Sequence, residues 1–197
     1  MNLALFDFDG TITQREMFAD FMSAAVSTRR MLAGGVLFGP MLAGYKLGLV
    51  SGNVIRASVV RFGFRGVRAD KVHAAGRRFA VDVLPTAMRP DALERIRWHQ
   101  QQGDRVVVVS GALDVYLTHW CKQHGLDLIC SGLETRGDLL TGRFRGEQCV
   151  GPEKSRRIRE TLDLNEFPVV YAYGDTHEDL EMLQLAHRRY YRWQEVA

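Results

Sequence analysis

The stretch Leu3-Ala4-Leu5-Phe6-Asp7-Phe8-Asp9-Gly10-Thr11-Ile12-Thr13 decides the fold. An apolar run leads straight into two aspartates one residue apart, and Gly10-Thr11 then breaks the strand. Side chains at i and i+2 of a strand point the same way, because the side-chain period is two. Two carboxylates held that close repel unless they share a cation or a proton. The stretch reads as a strand delivering an acidic pair to a polar site at its C-terminal end, where open α/β sheets bind their ligands. On these residues alone the alternative is a strand that ends in a solvated acidic turn.

Working outward, the period changes after Thr13. Met17, Phe18, Phe21, Met22 and Ala25 recur at helical spacing, so a helix is expected from near Arg15. Met31 to Tyr45 is a fifteen-residue run without a charge, rich in Gly and containing Pro40, and Leu47 to Ile55 continues its apolar character. The run is too short for a membrane span, and Lys46 interrupts it. A buried helical hairpin turning near Gly39-Pro40 is the expected arrangement. The alternatives are a dimer interface and membrane-surface contact, the latter because basic residues flank the apolar segment. Ser58 to Val83 reads helical again, with arginines outside.

From Pro85 onward the chain alternates strand and helix. Asp91 to Gln102 is a helix stopped by Gly103. Arg105 to Ser110 carries four consecutive valines, the mark of a parallel strand buried on both faces. A helix follows with Leu113, Leu117 and Cys121 in register, closed by Gly125, and Asp127 to Ser131 is a short strand. Leu133 to Cys149 is hairpin-like around Arg136-Gly137-Asp138. Glu153 to Leu162 is a helix, Phe167 to Tyr173 a strand ending in Gly174-Asp175, Glu178 to Ala186 a helix and Arg188 to Arg192 a last strand.

The expected fold class is therefore α/β: a doubly wound, Rossmann-like, mainly parallel sheet. A helical insertion of about seventy residues follows its first strand. The core is expected to span 1–13 and 86–197, and the insertion 14–85. The 197-residue length fits one domain, or one domain with a sizeable insertion, and the ordinary hydrophobicity argues against disorder. Three cysteines without a CxxC pair argue against a disulfide framework or a zinc site and suit a cytoplasmic setting. The first residues carry no basic region followed by a signal-type apolar core and read directly as the first strand, so no targeting segment is expected in them. The net charge of +3 is uneven: eleven Lys/Arg against four acids in 14–85 give +7, leaving −4 elsewhere. A basic insertion over an acidic core suits an anionic substrate, although arginines also simply solvate helix faces.

Four stretches in order resemble the motifs of the haloacid dehalogenase-like superfamily. Asp7-Phe8-Asp9-Gly10-Thr11 is similar to its first motif, Val107-Val108-Val109-Ser110-Gly111 to the second, Lys154 in Gly151-Pro152-Glu153-Lys154 to the third, and Gly174-Asp175-Thr176-His177-Glu178-Asp179 to the fourth. Taken singly, Ser110 also suits a helix N-cap, Lys154 a surface lysine, and Asp175 and Asp179 a turn acid and a helix-start acid. The resemblance implies a Mg²⁺-dependent phosphatase that forms an aspartyl-phosphate. Asp7 is then the nucleophile and Asp9 the general acid and base. Ser110 and the amide of Gly111 bind phosphate oxygens, and Lys154 stabilises the transferring group. The metal is held by Asp7, the backbone carbonyl of Asp9 and Asp175, with Asp179 on metal-bound water or orienting Lys154.

A helical insertion between the first two motifs resembles the C1-type cap of the phosphoserine phosphatase-like branch, subfamily IB. There the cap reads the leaving group. Glu16 matches a glutamate that binds the substrate ammonium in that branch, and it equally suits the first turn of a helix. The carboxylate-binding arginine has three candidates here: Arg56, Arg61 and Arg65. Thr176-His177-Glu178 departs from the branch's pattern, which puts strict phosphoserine specificity in question. His177 is either a proton shuttle or an exposed loop residue. The expected partner is a small phosphorylated metabolite, with no nucleic acid and weak membrane-surface contact through the cap. Two further readings remain open: a lipid head-group phosphatase of the phosphatidylglycerophosphate type, or a non-catalytic regulator that binds polyanions.

Overall fold

A computed structural model describes residues 1–47 and 50–196. Gly48 and Leu49, inside the apolar Leu47–Ile55 stretch, lie outside the described residues, as does Ala197. The chain opens with strand β1 (Leu3–Phe6) and then runs through helices α1 (Phe18–Ala25), α2 (Thr28–Lys46), α3 (Gly52–Phe64) and α4 (Ala69–Asp82). Next come α5 (Pro90–Gln101), β2 (Arg105–Leu113), α6 (Asp114–His124) and β3 (Asp127–Ser131). An antiparallel hairpin, β4 (Leu133–Arg136) and β5 (Leu139–Phe144), stands apart from the main sheet. The rest is α7 (Pro152–Thr161), β6 (Val170–Gly174), α8 (Leu180–Leu183), β7 (Arg188–Tyr191) and β8 (Gln194–Val196).

The main sheet has the order β3-β2-β1-β6-β7-β8, parallel except for β8. After β1 the chain builds β2 and β3 on one side and then crosses to the other for β6. β1 and β6 therefore flank a topological switch point, where loops diverge and leave a crevice. In register, Phe6 lies beside Val108 and Tyr173, so the chain ends carrying Asp7, Ser110 and Asp175 lie side by side.

Both sheet faces are buried, as the four valines of β2 require. Ala4, Phe6, Val106, Val108, Tyr171 and Tyr173 join one apolar cluster, while Leu3, Leu5, Val107, Val109, Val170 and Ala172 join another on the opposite face, with α7 and α8 residues. The inserted helices share the first cluster: Phe21 meets Phe79 at 5.3 Å and Tyr116 at 4.8 Å between ring centroids. α4 lies on α6 so closely that a Cβ on Gly76 would stand 1.9 Å from the Val115 carbonyl oxygen. The β4–β5 hairpin is tied to the turn between α3 and α4 by Gly66 N–H to Leu140 O (2.9 Å) and Leu140 N–H to Val67 O (2.8 Å).

Three expectations need correction. The apolar run does not turn at Gly39-Pro40: α2 continues as one helix to Lys46, and the reversal falls between it and α3. Nor is its outward side buried, since Leu32, Val36 and Leu37 are exposed. Periodicity located the apolar residues, but Gly and Pro overstated the break. α1 starts at Phe18 rather than near Arg15, because the Met17 N–H is taken by Asp9 Oδ1 (3.0 Å) and the chain stays in a loop until there. The helix expected over Glu178 to Ala186 shrinks to a 3₁₀ turn at His177–Asp179 and the four residues of α8. The structure also adds β8, which no turn signal announced. Its two-residue turn has Arg192 and Trp193 at φ 51 and 65, positions where Asn-Gly is the usual cue.

Candidate active site

The turn after β1 organises the site. Gly10 N–H donates to Thr13 Oγ1 (3.1 Å), and the Ile12 and Thr13 amides both donate to Phe8 O (2.9 Å each). Gly10 adopts φ +82, and a Cβ there would stand 2.4 Å from Asp175 Oδ2, so only glycine lets the first loop close against the fourth. Thr11 Oγ1 donates to Asp175 Oδ1 at 3.0 Å and joins the same two loops. Asp7, at 5 % exposure, is fixed by its own N–H to Tyr173 O (2.9 Å).

Lys154 enters from the first turn of α7 and is 2 % exposed. Its Nζ donates to Asp7 Oδ1 (2.6 Å) and to Asp179 Oδ1 (2.5 Å). Burial alone would lower the lysine, but the two carboxylates outweigh it and hold the ammonium above its ordinary value. Asp179 in turn accepts from the Asp175 and Thr176 amides (3.1 and 3.0 Å) and from Thr176 Oγ1 (3.1 Å) through its other oxygen. Burial pushes Asp179 up, yet Lys154 and these donors bring it below its ordinary value. Asp7 is raised, with burial the largest cause and Lys154 opposing it. The fourth loop is also held from outside by Arg192, whose guanidinium donates to Asp175 O (3.0 Å).

Carboxylate oxygens of Asp7, Asp175 and Asp179 lie within 4.8 Å of one another. With all three carboxylates ionised and the ammonium protonated, this knot carries a formal charge of −2. An all-oxygen donor set with that charge fits a hard divalent cation such as Mg²⁺. The cradle around Asp175 exists only because Gly10 has no side chain. The side chain of Asp9 is turned away from this knot to Met17, so any ligand that Asp9 offered would come from its backbone. Burial, reinforced by Glu16, raises the Asp9 carboxyl to about 7, against the lowering by the Met17 amide.

Asp7, Asp9, Ser110, Gly111, Lys154, Glu16 and Arg56 line one small cavity of about 20 Å³, with Val150, Thr176 and Glu178 completing it. Ser110 Oγ accepts the Ala112 N–H (3.0 Å), which leaves its own O–H to donate elsewhere. Outside lies a second chamber of about 320 Å³, lined by Glu16, Gly52, Asn53, Ile55, Arg56, Thr176, His177 and Glu178. Glu16 and Arg56 form an ion pair at 2.8 Å on the border of the two. Burial would lower Arg56, but Glu16 and Asp9 raise it.

Arg61 and Arg65 do not join the site. They line a separate groove with Arg30, Phe38 and Phe62 on the other side of α3. Arg30 caps the end of α3 by donating to Gly63 O (2.8 Å), and Arg68 pairs with Asp70. Among the described residues, the only cation of the 14–85 segment lining the inner or outer cavity is Arg56. His177 is exposed on the rim of the outer chamber. The cysteines are free thiols, and burial pushes Cys149 up to about 11 and Cys121 to about 12. Three contributors escaped sequence reasoning: Glu178 on the chamber wall, Arg192 behind Asp175, and Thr11 between the loops. Thr11 sat in the first motif, but a role for its hydroxyl needed the position of Asp175, and Arg192 offered no local signal.

A doubly wound sheet with acids and a buried lysine gathered at its switch point defines a class of hydrolase. Over residues 4–184 the sequence matches the family described as haloacid dehalogenase-like hydrolase, and the chain belongs to that family. It is 30 % identical over 192 residues to Protein CicA of Caulobacter vibrioides (strain NA1000 / CB15N), covering 96 % of this chain and 85 % of that one. It is 27 % identical over 116 residues to a histidinol-phosphatase of Neisseria meningitidis serogroup C (strain 8013), covering 55 % of this chain and 52 % of that one. Among solved structures, a phosphoserine phosphatase holding a phospho-aspartyl intermediate analogue superposes with a TM-score of 0.67 at 22 % identity, covering 96 % and 85 % of the two chains.

Proposed function

We propose that this hydrolase is a phosphomonoesterase that works through a phosphorylated Asp7, with the 14–85 segment acting as a cap that reads the leaving group. The observation that carries the reading is the inner cavity, where Asp7, Asp9, Ser110, Gly111 and Lys154 converge from two strands and one helix start. Asp7, Asp175 and the backbone of Asp9 would hold a Mg²⁺ ion. Bound there, the ion would supply the positive charge that lets a phosphate dianion approach a carboxylate.

An Asp7 oxygen attacks phosphorus, the bond from phosphorus to the ester oxygen breaks, and Asp9 hands its proton to the departing alkoxide. In the second half Asp9 takes a proton from a water that attacks phosphorus, the bond from phosphorus to the Asp7 oxygen breaks, and inorganic phosphate leaves with the Asp7 carboxylate restored. A carboxyl near 7 serves both halves at neutral pH, which an ordinary aspartate would not. Ser110 O–H and the Gly111 amide stabilise the transferring oxygens, and Lys154 offsets their charge. Asp179 positions Lys154 and shapes the acidic knot from one side.

The alcohol end of the substrate would occupy the outer chamber. Glu16, Glu178 and Arg56 put two carboxylates and one guanidinium around it. That balance suits an alcohol bearing an amine, and a substrate carboxylate, as in phosphoserine, would compete with Glu16 for Arg56. The test is hydrolysis of p-nitrophenyl phosphate with and without Mg²⁺, followed by a screen of amino-acid, amino-alcohol, sugar, nucleotide and lipid monophosphates. Mg²⁺-dependent turnover that Asp7→Asn abolishes, with the fold intact by circular dichroism, is expected. An active Asp7→Asn would remove the nucleophile assignment. No turnover by the unaltered protein, together with tight polyanion binding, would favour a regulator.

A further inference from the structure

The outward side of α2 is apolar where a solvated helix should be polar. Between Met31 and Tyr45 the helix carries no charge. It packs on α3 with one side only: Gly34 is buried against Phe62, and Phe38 meets the Phe62 ring edge-on at 5.5 Å. On the open side Leu32 is 71 %, Val36 83 % and Leu37 60 % exposed. Leu47 and Val54 extend the exposed apolar surface to the end of the hairpin. Single exposed hydrophobic residues are ordinary, but a helix apolar all round belongs in a core or against a non-aqueous phase.

The surrounding charge selects the occupant. Residues 21–69 contain no Asp or Glu, and Arg29, Arg61 and Arg65 of this segment are exposed, whereas Arg68 is paired with Asp70. A second copy of the chain would bring the same cations to the contact. Anionic lipid head groups complement them, while the apolar side chains enter the acyl boundary. We infer that the outward face of α2, with Leu47 and Val54 at the hairpin end, docks on an anionic phospholipid surface and lies in its interface. None of the described helices is long and apolar enough to cross a membrane. Docking there brings the outer chamber beside the lipid, because Gly52, Asn53, Ile55 and Arg56 of its lining flank Val54 on the first turns of α3. The inference stands independently of the phosphatase reading.

Flotation of the whole protein with vesicles of phosphatidylglycerol and phosphatidylcholine, against pure phosphatidylcholine, tests it. The protein should float with the anionic vesicles and be released as salt is raised. Leu32→Glu/Val36→Glu should cut the vesicle-bound fraction at least tenfold with circular dichroism and melting temperature unchanged. Val36→Trp, which keeps the face apolar, should raise it. Failure to float, equal flotation of the double variant, or no gain from Val36→Trp would overturn the inference. So would a dimer, seen by light scattering without lipid, that Leu32→Glu/Val36→Glu dissolves.

Discussion

Replacing Lys154 by Met tests the charge balance on which the site rests. The ammonium touches Asp7 at 2.6 Å and Asp179 at 2.5 Å, and all three side chains are nearly closed to solvent. Removing it takes the knot of three carboxylates from −2 to −3 with no water to screen them. Breaking a buried pair from one side costs about 3–5 kcal/mol. For a chain of 197 residues each kcal/mol moves Tm by roughly 2–4 °C, so Lys154→Met in EDTA should melt about 10 °C lower. Mg²⁺ should then recover more stability in the variant than in the parent. An acidic knot with one more negative charge holds a divalent cation tighter, here by at least about tenfold. Turnover should nevertheless fall by about 10²–10³, the usual loss when one charge-stabilising donor is removed. Thermal scanning across a Mg²⁺ titration and p-nitrophenyl phosphate kinetics read these three effects separately. A variant that melts like the parent in EDTA, or binds Mg²⁺ more weakly, would refute the reasoning, because Lys154 would then not be balancing the acids.

Asp9 is raised from 3.8 to about 7, so the folded protein keeps a proton that the unfolded chain releases above about pH 4. Stability from this group is full below pH 4 and declines as pH climbs to about 7. In EDTA, Asp9→Asn should therefore be more stable than the parent at pH 8, on the order of 2 kcal/mol by urea denaturation, and no more stable at pH 4. The same protonation should make hydrolysis of alkyl phosphates fall above about pH 7, and Asp9→Asn should lose about 10²–10⁴ of it. A flat rate profile from pH 6 to 9 would exclude Asp9 as the acid. Gly76→Val should cost about 3 kcal/mol, because its Cβ would collide at 1.9 Å with the backbone oxygen of Val115 and lever α4 off α6. An unchanged urea midpoint would refute the close packing of α4 on α6.

Much of the core was legible because its signals are local. The valines of β2 announced a strand buried on both faces; Leu117 and Cys121 do lie buried on α6, but Leu113, expected in register with them on the helix, is the last residue of β2, which runs past Ser110-Gly111. The helical insertion was read less well. Its run of apolar residues looked like something to be buried, and Gly39-Pro40 looked like a turn, since composition does not say which neighbour a helix finds. Among the described residues α2 packs chiefly on α3, and Leu32, Val36 and Leu37 on its other side stay exposed. The basic charge of 14–85 was misleading in the same way: Arg30 and Arg68 satisfy carbonyls and carboxylates of their own segment, and Arg56 alone among the described cations there reaches the cavity.

Four stretches in order, by their resemblance to a family's motifs, proposed Asp7, Asp9, Ser110, Lys154, Asp175 and Asp179 as a set, although each residue alone also suits an ordinary structural role. Order along a chain carries no distances. That Lys154 sits between Asp7 and Asp179, that Arg56 rather than Arg61 or Arg65 borders the inner cavity, and that Asp9 faces Met17 instead of the acidic knot all follow from how parallel strands align their ends and how α3 is rotated on its axis. Those are properties of packing between segments up to 147 residues apart, where no local pattern of side chains can express them.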